Sequence, residues 1–256
     1  MKIAVHLHPQ HATYDQIRDA AIRAEEMGAD GIYNWDHFYP LYGEPDGEHF
    51  EAWTMLASWA EVTHRVEIGC LVTCNNHRNP ELLADMARTV DHISHGRLVL
   101  GIGAGWFERD YDEYGYEFGT AGSRLAELER ALPRIDARLD HLNPAPVRKI
   151  PVLIGGSGEK KTLRYTARHA DLWHSWWNEE WSRKNGVLND WCEKEGRDPE
   201  AIRRSVGVDR DKVDDVDATL TAIAQAGVHE VTLGTGGPDY EMSEIEPYLA
   251  WRDANA

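Results

Sequence analysis

The sequence holds only three cysteines, Cys70, Cys74 and Cys192. They give neither a disulfide framework nor closely spaced zinc-ligand pairs, which suits a reducing cytoplasm. Cations are also scarce. Lys and Arg total 27 against 44 Asp and Glu, for a formal net charge of −17. A surface of that sign repels a nucleic-acid backbone and an anionic membrane, so neither is expected as a partner. The start of the chain lacks the long apolar segment of a secretory signal, and no stretch is long enough to cross a bilayer. No internal repeat or low-complexity linker divides the chain, and residues 1–256 read as one domain.

Two catalytic signatures are missing as well. Gly101, Gly103 and Gly105 fall short of a dinucleotide fingerprint, because the third glycine belongs at position 106, which is Trp106. Ser157 lies in Gly155-Gly156-Ser157-Gly158 and not in a nucleophile elbow.

What is present is best seen from residues 78–106. Asn79 is a good N-cap and Pro80 suits a first helical turn. Leu82, Leu83, Met86, Ala87, Val90 and Ile93 then form an apolar stripe at helical spacing, closed by Gly96. Leu98 to Ile102 is an unbroken apolar run, as in a parallel strand buried on both faces. The turn Gly103-Ala104-Gly105-Trp106 follows it.

The same alternation runs through the chain. Strands are expected at 3–7, 31–35, 66–73, 98–102, 150–154, 172–174, 205–208 and 230–233. Helices are expected at 14–27, 50–62, 80–95, 122–142, 158–169, 179–195, 213–226 and 242–251, with an acidic loop after Trp106. Eight strand–helix units in this length predict a (β/α)8 barrel, with a doubly wound open sheet as the alternative. In either fold the site lies at the carboxyl ends of the strands.

Those ends carry distinctive residues. Gly155 to Gly158 sits between a strand and a helix start, where free N–H groups and the helix dipole favour an anion such as phosphate. His6 and His8 point to one face of their strand, the start of a metal-dependent hydrolase site. The later strands offer only His174 as a further ligand, so no metal is expected. Asp36 and His37 follow the second strand, either as a structural pair or as an acid–base pair. The aromatics Trp35, Phe38, Trp106, Trp173, Trp176 and Trp177 surround the same rim, where a flat heteroaromatic ligand needs walls.

Taken together, these motifs resemble the luciferase-like monooxygenase superfamily, and within it the oxidoreductases that use the deazaflavin coenzyme F420. The likeness rests on 25–31 (EEMGADG), 36–38 (DHF), 78–84 (RNPELLA), 96–98 (GRL), 101–106 (GIGAGW) and 155–158 (GGSG). It implies a (β/α)8 barrel holding a deazaflavin, or alternatively flavin mononucleotide, at its mouth. Asp36 and His37 would lie near the reactive ring. Leu71, Val72 and Thr73 would match the bulge behind it, often a non-proline cis peptide. Ala104, Gly105 and Trp106, with Gly156, Ser157 and Gly158, would hold the cofactor and its tail. His8, Trp176 and Trp177 would line a substrate pocket. Trp106 stands where related sugar-phosphate dehydrogenases carry a catalytic Glu. The family's long insertion after the seventh strand is reduced to Asp209–Lys212, so the pocket is expected to be shallow or completed by a homodimer partner. The resulting expectation is a cytoplasmic oxidoreductase that moves hydride between deazaflavin and a small organic substrate. Its rivals are an FMN-dependent monooxygenase, a metal-dependent hydrolase, and a protein that holds the cofactor without turnover.

Overall fold

A computed structural model describes residues 1–255. The chain runs β1 (Lys2–His8), α1 (Tyr14–Glu26), β2 (Gly31–Asn34), α2 (Ala52–Val62), β3 (Glu67–Cys70), β4 (Thr73–Cys74) and α3 (Pro80–Ile93). It continues through β5 (Leu98–Gly103), α4 (Glu108–Tyr114), α5 (Ala121–His141), β6 (Val152–Gly155), α6 (Thr162–His169), β7 (Leu172–Trp176) and α7 (Trp181–Lys194). The last elements are β8 (Arg203–Val208), α8 (Val216–Gln225), β9 (Glu230–Gly236) and α9 (Glu246–Ala254).

The strands pair in the order β3-β2-β1-β9-β8-β7-β6-β5-β4, and β3 also pairs with β5. Every named pairing is parallel. The sheet therefore closes on itself. β3 and β4 are two halves of one barrel strand, so the barrel has eight positions, as the strand–helix count predicts. Ala4, Tyr33, Val99, Leu153 and Leu172 fill the barrel's interior. The larger apolar layer lies between the sheet and the surrounding helices.

Local chemistry sets the helix starts. Thr13 and Gln16 form a capping box on α1, Asn79 caps α3 with Pro80 in its first turn, and Thr120 with Ser123 caps α5. β5 is buried along its whole length, as its apolar run requires.

Four expectations need correction. The strand expected at 66–73 is broken between Cys70 and Thr73, where the Leu71–Val72 peptide is cis. Val72 turns towards β5 and β6 there. A Cβ on Gly103 would stand 2.8 Å from Val72 Cγ2, and one on Gly155 would stand 3.0 Å from Val72 Cγ1. The acidic loop after Trp106 contains α4, whose Phe107, Tyr111 and Tyr114 recur at helical spacing. The helix expected from Gly158 starts only at Thr162, because the left-handed Gly156 (φ 111°) carries the chain through a longer turn. The helix expected from residue 242 starts at Glu246, with Pro247 in its first turn. Between β8 and α8 the chain makes one short 3-10 turn, Arg210–Lys212, so the connection is as brief as the sequence implies.

Candidate active site

β2 delivers Asp36 and His37 to the barrel mouth, yet the two side chains part. Asp36 is buried, and Arg78 grips its carboxylate through two bonds of 2.5 and 2.9 Å. The Cys74 N–H donates to Asp36 Oδ2 at 2.9 Å. Arg78 also reaches Glu51, whose carboxylate caps α2. Asp36 thus ties the end of β2 to β4 and to the chain that enters α3. It does not pair with His37.

The partner of His37 is Asp110 on α4. His37 Nδ1 lies 2.7 Å from Asp110 Oδ2, and Asp110 Oδ1 accepts from the Phe38 N–H at 3.0 Å. The Asp110 side chain is 1% exposed and that of His37 is 12% exposed. The carboxylate is therefore fixed from below, while the imidazole keeps one edge towards the mouth. Trp106 and Phe107 stand edge-on to that ring, with centroids 5.7 and 5.4 Å away.

Trp35, with its ring 6.2 Å from that of His37, leads from there into a wall of neutral imidazoles. Trp35 stacks on His8 at 4.6 Å and donates from Nε1 to His49 at 2.9 Å. The Tyr42 hydroxyl bonds His8 Nδ1. Burial lowers His6 and His49 to about 4, and His8 and His174 to about 3, so all four stay uncharged at neutral pH. His6 Nε2 is buried with no partner. Trp176 is exposed at the rim, and Gly207 leaves room for its ring. Trp177 is not brought there. It turns outward against Trp181, at 5.3 Å between rings. No group of three or more His, Cys, Asp or Glu among the described residues is arranged to hold a metal ion. His6 and His8 therefore lack the further ligands a hydrolase metal needs.

Another side of the mouth is built from two glycine turns. Gly105 takes a left-handed φ of 77°, and a Cβ there would collide with Tyr111 and Cys74. The Gly156 N–H is already spent on the His174 carbonyl at 2.9 Å, so it is not one of the free donors expected of the phosphate turn. Ser157 and Gly158 remain. Each of the two turns also has a cation that the sequence motifs do not reveal. Lys184 Nζ donates to Ser157 Oγ at 3.1 Å. Arg124 donates to the Gly105 carbonyl at 3.1 Å and the Phe118 carbonyl at 2.9 Å, with its guanidinium over the Phe118 ring. Neither makes an ion pair with a carboxylate among the described residues. Two such cations at two glycine turns, in a chain of net charge −17, fit an anionic tail such as a phosphodiester. Leu71 and Val72 pack against the barrel interior beneath the mouth, and Thr73 is buried. Ala104 precedes the Gly105 turn, its carbonyl facing the Tyr111 hydroxyl at 3.5 Å.

A family model described as luciferase-like monooxygenase matches residues 1–210. The F420-dependent glucose-6-phosphate dehydrogenase of Amycolatopsis mediterranei is 35% identical over 118 residues, 45% of this chain and 34% of that protein. A solved F420-dependent secondary alcohol dehydrogenase, bound to an F420–acetone adduct, superposes with a TM-score of 0.83 at 16% identity and covers 98% of each chain. The FMN-bound oxygenating constituent of a Baeyer–Villiger monooxygenase from Pseudomonas putida superposes with a TM-score of 0.71 at 14% identity, over 98% of this chain and 97% of that one.

Proposed function

The chain belongs to the luciferase-like monooxygenase family, and we propose that within it this oxidoreductase uses coenzyme F420 to move a hydride to or from an uncharged organic substrate. The observation that carries the reading is the His37–Asp110 pair at the open mouth, which also holds the glycine turns that fit an anionic tail. The sequence motifs and the F420-dependent relative support the deazaflavin over flavin mononucleotide.

A bound deazaflavin supplies the hydride chemistry at its ring. The remaining work falls to this chain. Ser157, Gly158, Lys184 and Arg124 hold the anionic tail, and Ala104, Gly105 and Trp106 flank it. Leu71 and Val72 form the floor behind the ring. His37, oriented by the buried Asp110, takes the proton from a substrate hydroxyl or returns it to a carbonyl oxygen. Trp35, Trp106 and Trp176 shield the site from water. The neutral His6, His8 and His174 present no charge to the substrate, which suits an alcohol or ketone better than a sugar phosphate. The proposal includes a cytoplasmic location and a homodimer. No helix among the described residues is long and apolar enough to cross a membrane.

Fluorescence titration of the purified protein with F420 and with FMN tests the reading. Tighter binding of F420 is expected. Equal or reversed affinities would overturn the cofactor assignment.

A further inference from the structure

Beneath the mouth, a row of polar groups crosses three neighbouring strands, and the hydride reading makes no use of Ser205 or Glu230. His174 Nδ1 lies 2.8 Å from Ser205 Oγ, and Ser205 Oγ lies 2.9 Å from Glu230 Oε1. The three occupy neighbouring strands at one level, since His174 pairs with Ser205 and Ser205 with Glu230. Ser205 and Glu230 are buried, whereas His174 is partly accessible between the buried Trp173 and Ser175. Alternation along β7 turns His174 inward with Leu172 and Trp176, and its Nε2 would stand 3.5 Å from a Cβ on Gly207.

The opposite end of this row opens elsewhere. Glu230, Lys2, Arg203 and Leu172 line a cavity of about 410 Å³ at the amino end of the barrel, together with Met1, Asp30, Val228, His229 and Arg252. The groups facing Glu230 come from four strands. They are Lys2 on β1, Tyr33 on β2 at 3.4 Å, Glu67 on β3, and Arg203 with Ser205 on β8. His174 faces Ser205 on β8 and His6 on β1.

We propose that Glu230 is a positioning residue for the mouth. Acting through Ser205, it decides which ring nitrogen of His174 carries the proton, and so whether the mouth offers its ligand an acceptor or a donor. Hydrogen-bond polarity couples the three groups. An ionised carboxylate can only accept, so Ser205 must point its O–H at Glu230. The Ser205 oxygen then accepts from His174, which fixes the proton on Nδ1 and leaves Nε2 as a bare acceptor. A protonated Glu230 gains an O–H donor, which lets both bonds reverse. Its O–H donates to Ser205, the Ser205 hydroxyl turns to His174 Nδ1, and the ring proton moves to Nε2, now a donor. Glu230 takes one proton from water. His174 exchanges its Nδ1 proton for one on Nε2 through water and stays neutral throughout.

The changeover falls in an accessible range. Burial pushes the Glu230 carboxyl up to about 7; the Glu67 charge adds to the rise, and the Ser205 hydroxyl, Lys2 and Arg203 oppose it. Burial holds His174 near 3, so the imidazole does not charge in the same interval. Joined to the proposed hydride chemistry, the acceptor form suits an alcohol and the donor form a ketone. This match to substrate rests on the proposed function; the tautomer change does not.

The test uses the full-length protein, labelled with nitrogen-15 and free of ligand. Long-range proton–nitrogen correlation reads the His174 tautomer across roughly one and a half pH units on either side of neutrality. The expected result is an Nδ1–H ring above the changeover and an Nε2–H ring below it. Glu230→Gln and Ser205→Ala should each abolish the pH dependence. A wild-type His174 that keeps one tautomer throughout overturns the proposal, as does a changeover that survives in either variant. Should Glu230→Gln fail to fold, Ser205→Ala still decides. Because no cofactor is present, failure here is separate from failure of the cofactor assignment.

Discussion

His37 meets Asp110 across 73 residues of sequence, imidazole to carboxylate at 2.7 Å. The contact joins the end of β2 to a short helix after β5. It converts a rim histidine into an oriented one, because the buried carboxylate fixes which ring edge faces the mouth.

Removing the imidazole should remove acid–base assistance. With a substrate in hand, His37→Ala is expected to lower kcat by roughly 10²–10⁴. Asp110→Asn keeps the Phe38 contact and loses the charge, so a smaller loss of roughly tenfold or more is expected. Both variants should bind F420 within a few-fold of the parent. A near-normal rate in His37→Ala would make the pair structural.

The tail site is tested by charge. Ser157→Asp brings a carboxylate next to a bound anion, and two unit charges about 4 Å apart repel by roughly 4 kcal/mol at an effective dielectric near 20. Half of that still weakens binding more than about tenfold. Lys184→Met should cost roughly tenfold, the worth of one charge-assisted hydrogen bond. Fluorescence titration gives both numbers. Unchanged F420 affinity in both variants would place the anion elsewhere.

Arg78 and Asp36 form a buried pair, and breaking such a pair costs about 3–5 kcal/mol because one charge is stranded. Arg78→Met should therefore lower the urea midpoint markedly at neutral pH. A change within about 0.5 kcal/mol would mean that the Cys74 N–H suffices for the Asp36 carboxylate.

Stability should rise with pH on the acid side. His6, His8, His49 and His174 are held neutral down to about 3–4, whereas the unfolded chain takes up their protons near 6.5. Between those values the unfolded state binds more protons, so stability falls as pH falls, by up to about 1.4 kcal/mol per pH unit for each group. Glu230 works in the other direction. Its carboxyl holds a proton up to about 7, so its contribution is full below the unfolded value near 4.5 and is lost as pH rises through 7. Four histidines outweigh one carboxyl. Melting temperature should climb from about pH 4 to about pH 6.5. Glu230→Gln should gain relative to the parent above pH 7. A flat wild-type profile would refute the assignment of these groups as buried and neutral.

Much of this was legible in the chain. The apolar run at Leu98 to Ile102, the capped helix before it and the repeated strand–helix alternation gave the barrel, because periodicity and caps are local. The place of His37 at the mouth was readable for the same reason. Its partner was not. Asp110 lies among Glu108, Asp112 and Glu113, and only burial distinguishes it from them. The spacing of Phe107, Tyr111 and Tyr114 was the available signal, since it predicts a helix with Asp110 beside its aromatic face. Lys184 and Arg124 sit on helices remote in sequence from the turns they serve, so spacing alone could not bring them together. Trp177 was misplaced because strand alternation continues one residue past Trp176 and turns the ring outward.

The close seat of Val72 against Gly103 and Gly155 bears on anyone who wants to redesign the pocket. Those two glycines look like spare volume, and a saturation library would naturally include them. Their missing side chains are already occupied, one by each methyl branch of a single valine. Variation at either position would report on whether the floor survives, not on which molecule is chosen. Trp106 and Trp176 at the open rim are the positions where new shapes can be tried without moving the floor beneath them.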